Sequence, residues 1–223
     1  MARRIYLISR QGNLLKSINT EFESPINPGE MLNPAAVFYD GMNLWYTASR
    51  PTESHLFKLS LNGDKIKTFN ISSIDLLPFG IVVVGRYLYI TGNQNDRVYQ
   101  LDFNGNLIRS FSVAAFANQP KGICFDGKSL LLINDGDDTV CQIDLIGNLL
   151  KKTDVGAIDN GPQGIIFDGG YFVFFGATNR KLFKITGGGN LVSGIDLSSI
   201  LTSAIGLSYD GKSVYITTGD GVI

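Results

Sequence analysis

The chain has 223 residues, 26 of them glycine, and only 17 % are charged, against typical values of ~7 % glycine and ~25 % charge. Its 19 Lys and Arg against 20 Asp and Glu leave a net charge of −1, which argues against a nucleic-acid partner because phosphate neutralisation needs a basic face. A hydrophobic fraction of 44 % excludes a disordered chain, and no apolar run approaches the ~18 residues of a membrane span.

In chain order, Arg4-Ile5-Tyr6-Leu7-Ile8-Ser9 and Leu14-Leu15-Lys16 read as two short strands joined by a turn at Gly12. The apolar stretch at Ile5 is too short for a signal-peptide core, so a cytoplasmic or virion-associated location is expected. A long polar connection over 19–31 carries Phe22 and Glu30. From Pro34 onward a four-strand unit begins and then repeats. Strand a opens on Pro-x-Gly at Pro78-Phe79-Gly80, Pro120-Lys121-Gly122 and Pro162-Gln163-Gly164, with looser versions at Pro34-Ala35-Ala36 and Ala204-Ile205-Gly206. A tight turn follows, Asp-Gly in every unit except Val84-Gly85, a dipeptide suited to the positive φ of a hairpin. Strand b is apolar on both faces, as in Leu44-Trp45-Tyr46 and Leu130-Leu131-Leu132, and such a strand belongs between two packed layers. Strand c alternates, as in Arg97-Val98-Tyr99-Gln100-Leu101-Asp102, and a Gly-Asn type turn leads into strand d.

Two glycine series lock this pattern to one period. Gly41, Gly85, Gly127, Gly169 and Gly211 are spaced by 44, 42, 42 and 42 residues, and Gly12, Gly63, Gly105, Gly147 and Gly189 by 51, 42, 42 and 42. A period near 42 with four short strands is that of a propeller blade. The N-terminal pair aligns with strands c and d, and the C-terminal hairpin, 206–216, with a and b. An all-β, five-bladed propeller is therefore expected, made of four-stranded antiparallel blades. One blade is shared by 1–20 and 203–223, and the others span about 33–70, 77–113, 119–155 and 161–198 in a single domain. Pairing the two termini removes the sheet edges.

The string Phe125-Asp126-Gly127 through Asn134-Asp135, followed by Thr139-Val140-Cys141-Gln142-Ile143-Asp144 and Gly147-Asn148, resembles NHL-repeat and YncE-like (virginiamycin B lyase-like) propellers. The resemblance covers essentially the whole chain and rests on scaffold residues. It implies the fold and little about function. Those families usually carry six or seven blades, whereas the repeat count here is five. Lyases of this kind imply a His with carboxylates and Mg²⁺, and lactonase-type members a divalent ion at the channel. The single His55 has no matching motif around it, and the channel-ring positions lack a carboxylate. No cofactor is expected, and a channel-bound Ca²⁺ or Mg²⁺ finds no support in these residues.

Departures from the repeat mark candidate sites, because the scaffold does not demand them. In propellers the d–a and b–c loops share one face. Two insertions fall there and bracket one blade: 19–31, with Phe22 and Glu30, and 49–55, with Arg50, Glu53 and His55. The middle position of Pro-x-Gly, held by Ala35, Phe79, Lys121, Gln163 and Ile205, should ring the channel mouth. Phe79 offers a stacking surface, and Lys121 and Gln163 offer donors. The segment 134–138 gathers three Asp side chains without EF-hand spacing and reads as a solvated loop. Cys124 and Cys141 replace core residues on strands a and c, too far apart for a disulfide, and are expected as free buried thiols. The reading is a non-enzymatic recognition or scaffold propeller that binds a protein surface or glycan through the loop face, a virion or assembly component included. The alternative is a small metal-dependent hydrolase or lyase.

Overall fold

A computed structural model describes residues 3–218. Every regular element among them is a strand, and the strands form five four-stranded antiparallel sheets. The chain begins with β1 (Arg4–Ser9) and β2 (Leu14–Asn19), and the first blade then holds β3 (Asn33–Tyr39), β4 (Leu44–Arg50), β5 (Glu53–Leu59) and β6 (Lys65–Asn70). The second holds β7 (Pro78–Val84), β8 (Tyr87–Gly92), β9 (Arg97–Leu101) and β10 (Leu107–Ser112). The third holds β11 (Pro120–Phe125), β12 (Leu130–Asn134), β13 (Thr139–Ile143) and β14 (Leu149–Asp154). The fourth holds β15 (Pro162–Asp168), β16 (Tyr171–Gly176), β17 (Lys181–Thr186) and β18 (Leu191–Asp196). The last sheet has the order β19-β20-β1-β2, with β19 at Leu207–Tyr209 and β20 at Ser213–Thr218. The expected five-bladed propeller and its shared closing blade are both present.

The inner strands β3, β7, β11, β15 and β19 pack against one another around the ring. Glycine in Pro-x-Gly is required by that approach: a Cβ at Gly122 would sit 2.7 Å from Ile165 N, and one at Gly164 2.7 Å from Leu207 N. The middle residue of the motif lies at a bulge, because the pairing slips between Pro78 and Gly80, Pro120 and Ile123, and Pro162 and Ile165. A bulge re-aims a side chain, and here it turns the middle residue away from the ladder. Ring closure is reinforced where Thr217 Oγ1 donates to Ala35 O at 3.0 Å.

Each gap between blades has its own apolar core. Leu44 and Tyr46 belong to the core shared with the closing blade, while Trp45 belongs to the one shared with the second blade. This explains why strand b must be apolar on both faces. Cys124 and Cys141 are free and buried. They belong to cores on opposite sides of the third blade, so side-chain direction separates them as well as strand spacing. Burial pushes the Cys124 thiol well above its usual range and raises that of Cys141. No helix among the described residues is long and apolar enough to cross a membrane.

Candidate functional site at the channel mouth

The two insertions behave differently from their sequence reading. The segment 49–55 is almost entirely strand, with Ser49 paired to Ser54 and Arg50 to Glu53, so only Pro51 and Thr52 form the turn. The second blade's pairing ends at Gly92–Arg97, the counterpart of Ala48–His55, and the first blade carries it on for two more pairs. Glu53 and His55 therefore point into the blade, each 1 % exposed, and are not accessible ligand contacts. Phe22 is also buried, packed on Tyr46 and Phe57 with ring centroids 5.8 and 5.0 Å away. These three candidates belong to the core.

The 19–31 connection folds back on itself through a Glu23–Met31 bridge and a bond from Ser24 N to Glu30 O at 2.7 Å. Its inner side covers the lengthened hairpin. Glu53 Oε2 meets His55 Nε2 at 2.7 Å, and Asn27 Nδ2 donates to Glu53 Oε1 at 3.4 Å. Burial pushes the Glu53 carboxyl up, but hydrogen bonds from Ser24, His55 and Asn27 outweigh it and hold the group below its ordinary value. At the tip, exposed Glu30 ion-pairs with Arg50, which also lies 3.5 Å from Glu53 Oε1. The two insertions thus form one braced unit, and of their candidate residues Arg50 is the one that reaches the channel mouth.

Part of the predicted ring does converge. Lys121 Nζ donates to Gln163 Oε1 at 2.9 Å and lies 5.6 Å from the centre of the Phe79 ring. Asp135, immediately after β12, completes the cluster: its Oδ2 is 2.7 Å from Lys121 Nζ, and its Oδ1 accepts from Gln163 Nε2 at 3.3 Å. Sequence reasoning missed this carboxylate because it compared only the Pro-x-Gly positions. The position that follows Ala48, Gly92, Asn134 and Gly176 in the repeat forms a second register, Ser49, Asn93, Asp135 and Ala177, whose variety was an equally visible signal. The 134–138 loop disperses its charges: Asp135 serves Lys121, while Asp137 lies 2.5 Å from Lys152 Nζ.

On the first-blade side the mouth opens into a cavity of about 530 Å³ lined by Ala35, Ser49, Arg50, Phe79, Gln94 and Ile205 among others. Deeper along the axis the channel is apolar, lined by residues such as Val82, Ile123, Ile165 and Leu207. Among the described residues, no three His, Cys, Asp or Glu side chains gather so as to hold a metal ion. Asp135, the carboxylate at the mouth among the described residues, already faces Lys121, and the side chains of Ala35, Phe79 and Ile205 offer no metal ligand. These residues do not fit the divalent ion that the sequence resemblance implies.

Solved structures share this architecture. Virginiamycin B lyase from Staphylococcus aureus, catalytically inactive and solved with quinupristin, matches at TM-score 0.61 and 16 % identity, over 96 % of this chain and 70 % of that one. Myxococcus xanthus glutaminyl cyclase matches at TM-score 0.62 and 14 % identity, over 86 % and 95 %. A chain of a nidogen–laminin complex matches at TM-score 0.61 and 16 % identity, over 96 % and 84 %. The likeness is one of fold. The resemblance to virginiamycin B lyase-like propellers read from the sequence is met at that level. No protein-family model and no curated protein sequence matches the chain.

Proposed function

We propose that this chain is a non-enzymatic recognition propeller that binds a glycan or a protein surface at the channel mouth on its d–a and b–c loop face. The observation that carries this is the concave mouth of about 530 Å³, in which the Phe79 ring and apolar walls meet the polar ends of Ser49, Arg50 and Gln94. Binding sites combine apolar walls with a few convergent polar groups in this way, and a ring beside amide and guanidinium donors suits a sugar or a peptide turn. A scaffold role in a virion or another assembly would use the same face.

The test is a glycan array together with titration of any hit. A bound glycan that loses at least roughly tenfold in affinity, the equivalent of 1.4 kcal/mol, in both Phe79→Ala and Arg50→Gln supports the reading. A hit indifferent to both substitutions places recognition elsewhere and overturns it. The alternative, a metal-dependent hydrolase or lyase, is favoured by the lyase and cyclase among the fold relatives. It requires tight binding of Mg²⁺ or Ca²⁺ at the axis, which calorimetry reads directly.

A further inference from the structure

The opposite face of the ring, where the Asp-Gly and Gly-Asn turns lie, holds a second hollow. It sits between the fourth blade and the closing blade, with a volume of about 210 Å³. Ile166, Val173, Leu182, Ile195 and Val214 form its apolar walls, and Arg10, Asp168 and Lys184 its rim. Arg10 Nη2 lies 3.1 Å from Asp168 Oδ1, and Lys184 Nζ lies 2.8 Å from Asp168 Oδ2. Two cations share one carboxylate, so the rim carries a net positive charge.

The repeat explains why the hollow is there. The central residue of strand b is Trp45, Tyr89, Leu131 and Tyr215 in the other blades and Val173 in the fourth. Val173 is the smallest of the five, and it is half-buried where its equivalents are buried. The same position between the first and second blades shows what such a place accepts. There the Trp45 indole stacks on Phe69 and Phe103, with centroids 6.4 and 5.6 Å away, and its Nε1 donates to Asp40 Oδ2 at 2.9 Å. Lys58, the counterpart of Lys184, stands 5.3 Å from the indole centre. In the fourth blade Lys184 instead stands 4.3 Å from the Tyr171 ring, and Arg10, which replaces Phe103 in the repeat, lies 5.2 Å from the Tyr209 ring. The fourth blade thus keeps the Asp and the Lys, gains a second cation, and lacks the aromatic ring.

We propose that this inter-blade hollow is a binding site for a small aromatic carboxylate, whose ring takes the place that Trp45 fills in the first blade and whose anion meets Arg10 and Lys184. Apolar cavities of ~150 Å³ accept a benzene ring, so one ring fits the walls, and the surplus cation selects an acid over a neutral or cationic analogue. The site lies on the face opposite the channel mouth and is independent of the function proposed there.

The probe set is indoleacetate, indole and tryptamine, which present one ring system with a negative, absent and positive charge. Binding to the full chain is followed by ligand-observed NMR and calorimetry. Indoleacetate is expected to bind at least roughly tenfold more tightly than tryptamine, a difference of 1.4 kcal/mol, and to weaken in Arg10→Gln. Val173→Trp, which fills the hollow from within, is expected to abolish binding. Val173→Leu is the milder companion should the larger side chain impair folding, and thermal unfolding monitors both. Phe79→Ala at the channel mouth is expected to leave indoleacetate binding unchanged. Equal binding of all three probes, no binding of indoleacetate, or full binding to a folded Val173→Trp protein overturns the proposal.

Discussion

Lys121 Nζ stands 2.7 Å from Asp135 Oδ2, and this pair joins the start of β11 to the residue after β12 at the channel mouth. Both side chains are about one-fifth exposed, so solvent screens their attraction and the pair contributes modestly. Asp135→Asn is expected to lower stability by about 0.5–1 kcal/mol, read by urea unfolding. It also leaves the Lys121 charge uncompensated, so affinity of the mouth for an anionic ligand should rise. Unchanged affinity for acidic glycans in that variant would argue that Lys121 does not face the ligand.

Glu53 and His55 give a contrasting expectation. Because both are buried and joined at 2.7 Å, His55→Ala takes from the Glu53 carboxylate its closest partner and leaves it only Asn27 and Arg50 at 3.4 and 3.5 Å with the Ser24 hydroxyl. Loss of a buried partner costs about 1–3 kcal/mol. Stability should fall by that amount, while ligand affinity at the channel mouth stays the same. A loss of affinity without a loss of stability would return His55 to the site.

The d–a loops of the second and fourth blades carry a hidden carboxylate. Asp159 Oδ2 accepts from Asn179 N at 2.9 Å, and a Cβ on Gly176 would lie 2.5 Å from that oxygen. Asp75 stands in the same relation to Gly92. The third blade has Ala117 and Asn134 at these two places, exchanging the Asp and Gly together. Gly176→Ala should therefore destabilise by about 1–3 kcal/mol, the usual cost of overpacking. Adding Asp159→Ala should restore part of it, and a double-mutant cycle in chemical denaturation measures the coupling.

Acid should weaken the fold through its braced carboxylates. Burial raises the Asp126 carboxyl, but bonds from Ser129, Lys128 and Gln142 outweigh it and hold the group below its ordinary value. Asp137 is likewise raised by burial and lowered further by Lys152, Thr139 and Asn134. A depressed carboxyl stabilises fully above its unfolded pKa of about 3.9 and loses that contribution as pH falls through the folded value. Stability should thus decline below about pH 4, and Asp126→Asn should flatten the decline. Asp96 and Asp138 act with the opposite sign. Burial first, then neighbouring carboxylates, raise them, so Asp138→Asn should be neutral or stabilising at pH values where both groups are ionised.

The thiols offer a check on packing. With Cys124 and Cys141 buried and their thiols raised, little thiolate is available to react. Neither should react with an aromatic disulfide reagent until denaturant is added. Rapid labelling of the native protein would mean that the cores flanking the third blade open readily.

The period of 42 residues, the five blades and the shared closing blade are all legible in the sequence, because glycine turns and doubly apolar strands recur wherever the backbone must turn or be sandwiched. The Phe79, Lys121 and Gln163 ring was legible for the same reason, since one repeat position maps to one place around the axis. What the sequence could not say was which way an inserted pair of residues would go. Glu53 and His55 read as loop residues, yet two added residues extended a hairpin and carried them inside, because backbone pairing is satisfied more fully in a longer ladder than in a loop. Asp135 reached Lys121, and Arg10 met Asp168 across 158 residues, through contacts between strands and blades that local pattern does not encode. Sequence periodicity determines where the strands are. Only their packing around the axis decides which side chains meet, because those distances are set by the ring and not by the chain.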